Sequence, residues 1–112
     1  AIESLEIKPG ERVLIKTGIA LAVPVGYVGL VWDKSGIATK TGLTTLAGVI
    51  DAGYRGEVLI ALLNTSTDSY AVQAGQKIAQ LLIQPVQHVT IQAVDQLAEA
   101  MRGDNGFGST GL

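Results

Sequence analysis

Three stretches of the 112-residue chain carry more reactive or ligand-binding side chains than a strand or a turn needs. The first is WDKSGIA, residues 32–38, where an apolar run stops at Asp33, Lys34, Ser35 and Gly36. A Ser-Gly pair opening a helical turn presents backbone N–H groups and a hydroxyl beside a lysine ammonium, a set that can cradle phosphate oxygens. A capped turn with solvated charges has the same composition. The second is AGVIDAGYRGEV, residues 47–58, in which Asp51 follows the apolar Val49 and Ile50 and residues 53–56 turn the chain into EVLIALLN. This pattern predicts a hairpin with a carboxylate near its tip and the Tyr54 ring just beyond it. Such a carboxylate can serve as a general base for water, whereas a turn aspartate bonded to its own backbone is the plain structural alternative. The third is RGDNGFGSTGL, residues 102–112. Arg102 offers a planar fork for phosphate oxygens, the glycines allow close backbone approach, and Ser109 and Thr110 add hydroxyls. Phe107, the only phenylalanine of the chain, can stack on a flat ring. A disordered Gly-rich end accounts for the glycines but not for the Arg and Phe placed among them.

The elements that must hold these stretches are short. ERVLIKTG, GYVGLVW, EVLIALLN, KIAQLLIQP and HVTIQAV are rich in Val, Ile and Leu and are bounded by Gly, Pro or polar residues, as strands are. Val13, Ile15 and Thr17 alternate with Leu14 and Lys16; Val86, Val89 and Ile91 alternate partly with Gln87, His88 and Thr90. With no long helical pattern between the strands, the sequence predicts an all-β barrel or jelly roll. At most one short helix is expected. Residues 93–101, AVDQLAEAM, place Val94, Leu97 and Met101 near helical spacing, and read equally well as a strand end followed by a turn. A helical turn is also expected over residues 35–40, with Ser35 as its N-cap. The organisation expected is one β domain over residues 1–101 and a mobile Gly-rich arm over 102–112.

Composition narrows the function. Apolar residues make up 47% of the chain and aromatics only 4%, so the core must be built from Val, Ile, Leu and Ala. That is a thin core for a lone subunit of this length and favours an oligomer. A net charge of −2 with eight scattered Lys and Arg residues argues against a nucleic-acid polymer as partner. Without cysteine, and with His88 as the only histidine, the chain has no disulfide, thiolate metal site or histidine cluster. His88 is expected at a surface or interface, and Trp32 in packing. No apolar run reaches the ~18–20 residues of a membrane span, and AIESLEIKPGE lacks the basic-then-apolar layout of a signal peptide, so a cytoplasmic protein is expected.

WDKSGIA, GVIDAGYRGEV, GQKIAQLLI (residues 75–83) and RGDNGFGSTG, in this order, resemble the second to fifth motifs of the trimeric dUTP diphosphatases (dUTPases). The similarity runs along the whole chain. It implies a jelly-roll-like β-barrel subunit, a homotrimer with active sites shared between subunits, and hydrolysis of dUTP to dUMP and pyrophosphate. By resemblance, Gly48, Val49, Ile50 and Asp51, with the returning strand near Leu59, hold uracil through the main chain, and Tyr54 packs on the sugar. Asp51 deprotonates the water that attacks the α-phosphorus. Lys34, Ser35 and Gly36 hold the phosphate chain with Gln80 nearby, and magnesium (Mg2+) rides on the triphosphate and water with no direct protein ligand. The arm comes from a neighbouring subunit: Phe107 covers the uracil, Arg102 reaches the terminal phosphates, and Gly108, Ser109 and Thr110 close over the rest.

Two features depart from the family pattern. Lys34 stands where Arg is usual, replacing a planar fork by a point charge. The chain also begins after the position at which the family's first motif, with an Asp that holds magnesium-bound water, would lie. Beside dUTP hydrolysis the sequence therefore admits a trimeric dUTPase-fold binding or scaffold protein with impaired catalysis. A dCTP deaminase on the same fold is a third reading, disfavoured because that family relies on a glutamate base where this hairpin offers Asp51.

Overall fold

The alternation of apolar and polar residues becomes two-sided strands in the computed structural model, which describes residues 1–111. In EVLIALLN, strand β6 (Glu57–Asn64), Val58, Ile60, Leu62 and Asn64 are buried while Glu57, Leu59, Ala61 and Leu63 are not. Strand β2 (Arg12–Ala20) lies antiparallel to it with Ile15 opposite Ile60 and Val13 opposite Leu62, so the buried faces of both strands coincide. Strand β4 (Leu43–Leu46) pairs with the other edge of β6, giving the order β2-β6-β4. A second sheet has the order β5-β3-β8, built from β3 (Tyr27–Asp33), β5 (Val49–Ile50) and β8 (Ala79–Pro85). β1 (Leu5–Ile7) and β7 (Tyr70–Val72) form a two-stranded ladder beside them. One helix, α1 (Ser35–Thr41), follows β3. The result is a jelly-roll type β fold.

As the composition requires, the core is wholly aliphatic: Ile7, Ile15, Val23, Leu43, Ile50, Val58, Ile60, Leu62, Val72 and Ile78. Each such side chain contributes about 1.5–3 kcal/mol by leaving water. The one buried polar residue among those described is Asn64, with 0% of its surface exposed. Its Nδ2 donates to the carbonyls of Ile7 (2.9 Å) and Asp68 (2.8 Å), and its Oδ1 accepts from the Ser66 N–H and hydroxyl. A single amide thus ties the end of β6 to β1 and to the loop after it.

Two expectations need correction, and one reading left open resolves against a helix. HVTIQAV forms no strand: after Pro85 the described chain has no further ladder, and Val89 and Ile91 are 78% and 90% exposed. The pattern is strand-like, but a strand exists only where a neighbour takes its N–H and C=O groups, and this chain supplies none there. Residues 93–101 form no helix either, since an amphipathic helix this short needs a surface to pack on. At α1 the N-cap is Lys34, which makes no side-chain cap bond, and Ser35 is already the first helical residue. The radius of gyration, 18.7 Å, exceeds the ~13 Å of a compact domain of this size, as expected of a body with a long unpaired C-terminal segment. No helix among the described residues is long and apolar enough to cross a membrane.

The Asn64 hub yields a stability test. Asn64→Ala leaves the Ile7 and Asp68 carbonyls without their donor, and we expect a loss of about 3 kcal/mol in chemical denaturation at fixed protein concentration. A loss below ~0.5 kcal/mol, within the usual range of surface substitutions, would mean that water replaces the amide without cost.

Candidate functional site

The predicted hairpin is a fork between the two sheets. β4 stays on β6 as far as Leu46 opposite Ala61. Ala47 then adopts φ 50°, and β5 leaves for β3, with Val49 opposite Leu30 and Ile50 opposite Gly29. β5 and β6 therefore do not pair with each other, which corrects the hairpin reading. The divergence is enforced at Gly48: its carbonyl accepts the Val31 N–H at 2.7 Å, and a Cβ at position 48 would lie 2.5 Å from the Val31 carbonyl oxygen. Only glycine permits that approach.

The fork opens a cleft of about 170 Å³ lined by Val49, Ile50, Asp51, Tyr54, Val58 and Leu59, with Ala47 at its apex. Because β5 is an edge strand and β4 covers β6 only from Ala61 onward, no ladder runs between the two walls. Main-chain groups there are free to meet a ligand. At this volume, below the ~300 Å³ of a small-molecule pocket, the cleft suits a single flat ring. Its floor is the core, through Ile50 and Val58. Asp51 is exposed at the rim and also lines a second cleft of about 400 Å³ with Tyr27, Val86 and His88. His88, expected at a surface, thus lies in a cleft that Asp51 shares.

The second stretch sits elsewhere. Lys34, Ser35 and Gly36 start α1 at the far end of β3, and Gln80 joins them by donating from Nε2 to the Asp33 carbonyl at 2.8 Å. Counting along β3 from the level of Asp51, beside Val28, to Lys34 gives roughly 20 Å at ~3.3 Å per residue. One chain therefore brings Gly48, Val49, Ile50, Asp51, Tyr54 and Leu59 together, but not with Lys34, Ser35, Gly36 or Gln80. The third stretch joins neither group: Phe107 is 110% exposed at φ 50°, and Arg102 Nε donates to the Asn105 carbonyl at 2.7 Å. Gly108, Ser109 and Thr110 are also exposed, and Leu112 lies outside the described residues. Trp32, expected in packing, is 57% exposed on the outer face of β3. Among the described residues no three His, Cys, Asp or Glu side chains could jointly hold a metal ion. Asp51, the carboxylate that lines the cleft, is a hard oxygen donor of the kind magnesium takes directly or through water.

Sequence reasoning passed over Asp33. Its carboxylate accepts from the Thr44 hydroxyl (2.8 Å), the Thr45 N–H (2.7 Å) and the Thr45 hydroxyl (2.6 Å), binding the end of β3 to β4 across the two sheets. Burial pushes this carboxyl up, but the donors of Thr45 and Thr44 outweigh it and hold the group below the ordinary value of 3.8. The signal available was the Thr-Thr pair, which a sequence places eleven and twelve residues away from the acid.

A jelly-roll subunit with an open fork between its sheets and a carboxylate at the rim defines a small-molecule binding or hydrolytic class of protein. Comparison with known proteins is specific. The dUTPase family model matches residues 1–111, and the chain belongs to the dUTPase family. It is 48% identical to a deoxyuridine 5'-triphosphate nucleotidohydrolase of Corynebacterium diphtheriae, over 98% of this chain and 74% of that protein. It is 46% identical to the enzyme of the same name from Gloeothece citriformis, over 100% and 79% of the two chains. The dUTPase of Staphylococcus bacteriophage 80alpha, solved with dUpNHpp, superposes with a TM-score of 0.92 at 32% identity, covering 98% of this chain and 82% of that one. A variant dUTPase of phage phi11 of S. aureus, whose structure describes coordination of a structural Mg(II) ion, superposes with a TM-score of 0.80 at 29% identity over 87% and 80% of the chains.

The Asp33 clamp gives a pH test. A carboxyl whose folded pKa lies below its unfolded value stabilises the fold fully above the unfolded pKa, near 3.9, and loses that contribution as pH falls through the folded value. Asp33→Asn should cost about 2 kcal/mol at pH 7 and flatten the acid limb of the stability curve below about pH 5. An acid limb identical to that of the unsubstituted protein would show that other carboxylates set it.

Proposed function

We propose that the protein hydrolyses dUTP to dUMP and pyrophosphate within the cytoplasmic nucleotide pool. The observation that carries this reading is the fork between β5 and β6, with Asp51 at its rim, in a chain that matches the dUTPase model over residues 1–111. Uracil enters the fork and meets the main chain of Gly48, Val49, Ile50 and Leu59. A slot of this kind rejects a methylated base by sterics and cytosine by its exchanged donor and acceptor, leaving polar groups unpaired. Tyr54 forms the sugar side. Asp51 orients a water and takes its proton as the water oxygen bonds to the α-phosphorus. The bond from that phosphorus to the bridging oxygen breaks, and pyrophosphate leaves with the electron pair. A magnesium ion held by the triphosphate oxygens and water would supply positive charge against the leaving group.

The phosphate cradle of Lys34, Ser35, Gly36 and Gln80 comes from a neighbouring copy. The ~20 Å that separate it from Asp51 within one chain support a site shared in a homotrimer. The exposed, strand-patterned segment with Val89 and Ile91 supports the same assembly, as does Leu97, 87% exposed. The arm of another subunit then closes the site: Phe107 lies on the uracil, Arg102 on the terminal phosphates, and Gly108, Ser109 and Thr110 over the remainder. Closure excludes bulk water and strengthens the charge contacts.

Pyrophosphate release with magnesium should be rapid from dUTP and near background from dCTP and dTTP. Ammonia from dCTP would establish deamination instead, and binding of dUTP without turnover a scaffold. Asp51→Asn should lower kcat by about 10²–10⁴-fold while keeping nucleotide binding, and an unchanged kcat would remove Asp51 from the base role. If sites are shared, Asp51→Asn and Arg102→Ala chains, each weakly active alone, should regain activity when refolded together. Mixtures no more active than their components would place each site within one chain.

A further inference from the structure

The turn that follows Asp51 is braced around one ring. The Tyr54 N–H donates to the Asp51 carbonyl at 3.1 Å, and Arg55 Nη1 donates to the Ala52 and Tyr54 carbonyls at 2.6 and 3.0 Å. The Tyr54 hydroxyl donates to the Glu57 carbonyl at 2.7 Å. Glu57 is itself fastened to the body of the sheet, since its Oε1 accepts the Gly18 N–H at 2.9 Å and the residue pairs with Ala20 of β2. To reach that carbonyl the phenol lies across Gly56. A Cβ at position 56 would stand 2.5 Å from the Tyr54 hydroxyl oxygen, 2.8 Å from Cζ and 3.1 Å from Cε2. At Gly53, in the same turn, a Cβ would meet nothing within 4 Å.

We infer that Gly56 is a positioning residue for sugar selection: its bare Cα lets the Tyr54 ring lie flat against the turn and so fixes the wall that a 2′-deoxyribose can approach and a ribose cannot. This deepens the dUTP reading and rests on it. A free tyrosine could swing aside and admit a 2′-hydroxyl. A ring held at its hydroxyl end and seated on Gly56 keeps its apolar face toward the cleft, where a 2′-hydroxyl would shed its waters without gaining a protein acceptor. The atoms that a Cβ at Gly56 would strike belong to the far end of the Tyr54 side chain and not to backbone. An alanine there therefore displaces the ring and leaves the main chain in place.

The test compares kcat/KM for dUTP and UTP in the unsubstituted protein and in Gly56→Ala, Tyr54→Phe and Gly53→Ala, with aromatic ¹³C NMR of the Tyr54 ring in each tyrosine-bearing form. Gly56→Ala and Tyr54→Phe should each lower the dUTP-to-UTP preference about tenfold or more. Gly53→Ala should preserve it, and the ring signals should move in Gly56→Ala alone. An unchanged preference in Gly56→Ala overturns the proposal even if the ring moves, as does an unmoved ring. A protein that hydrolyses neither nucleotide, or does not prefer dUTP, would refute the dUTP reading; unmoved ring signals in Gly56→Ala would then refute the brace as well, and moved ones would retain it.

Discussion

The site depends on how closely two main chains approach at Gly48 and Val31. The Val31 N–H reaches the Gly48 carbonyl at 2.7 Å, in a space that no side chain at position 48 could share. That contact draws β5 onto β3 immediately after β4 has been paired with β6. The reversal at Ala47, φ 50°, is the local cost, of order 1 kcal/mol for a residue with a Cβ. In return two strand edges face each other without joining. The walls of the cleft are thus a by-product of sheet topology, and the aliphatic core beneath them, through Ile50 and Val58, keeps them apart.

β3 is also held at its other end. Asp33 binds both threonines of β4, and Gln80 of β8 binds the Asp33 carbonyl, so the turn that begins α1 is attached to two sheets at once. A strand fixed at both ends is a ruler. The carboxylate and the candidate phosphate cradle sit at its two ends, and no motion that preserves the β3 ladders can bring them together in one chain. The proposed homotrimer would give the thin core, the exposed Trp32 and the unpaired segment after Pro85 a common explanation, since its subunits would complete their packing and their chemistry against one another.

What the sequence made legible followed period and local turn chemistry. EVLIALLN appears as β6 with unchanged bounds, and the alternation of Val13, Ile15 and Thr17 is the buried face of β2. The short strands β1, β5 and β7, of two or three residues, carry too few residues to show a period; distant partners hold them. HVTIQAV fails for the converse reason, having the period but no partner. The residues of the cleft were legible as a group because they adjoin in sequence. The fork was not, because turn residues such as Gly53 and Gly56 show where a chain bends and not which strand it joins next. Asp33 was hidden by its neighbours: next to Lys-Ser-Gly it reads as part of a phosphate turn, while its partners, Thr44 and Thr45, lie in another strand.

In the proposed reaction the base is read by main-chain groups and only Asp51 contributes side-chain chemistry in the fork. Recognition by backbone has a structural consequence. Exchanging side chains that point into such a cleft alters its lining but not the donors and acceptors that read the ring, so selectivity is controlled by residues that set the path of the chain. Gly48 against Val31 is such a position for the base, while Gly56 beneath Tyr54 would act on the sugar side by seating a ring, without altering the main chain. Their contribution lies in atoms they lack, and it becomes visible only when the excluded Cβ is built. In the proposed site, specificity and chain packing are coupled, since the close approach that draws β5 onto β3 also sets one wall of the cleft.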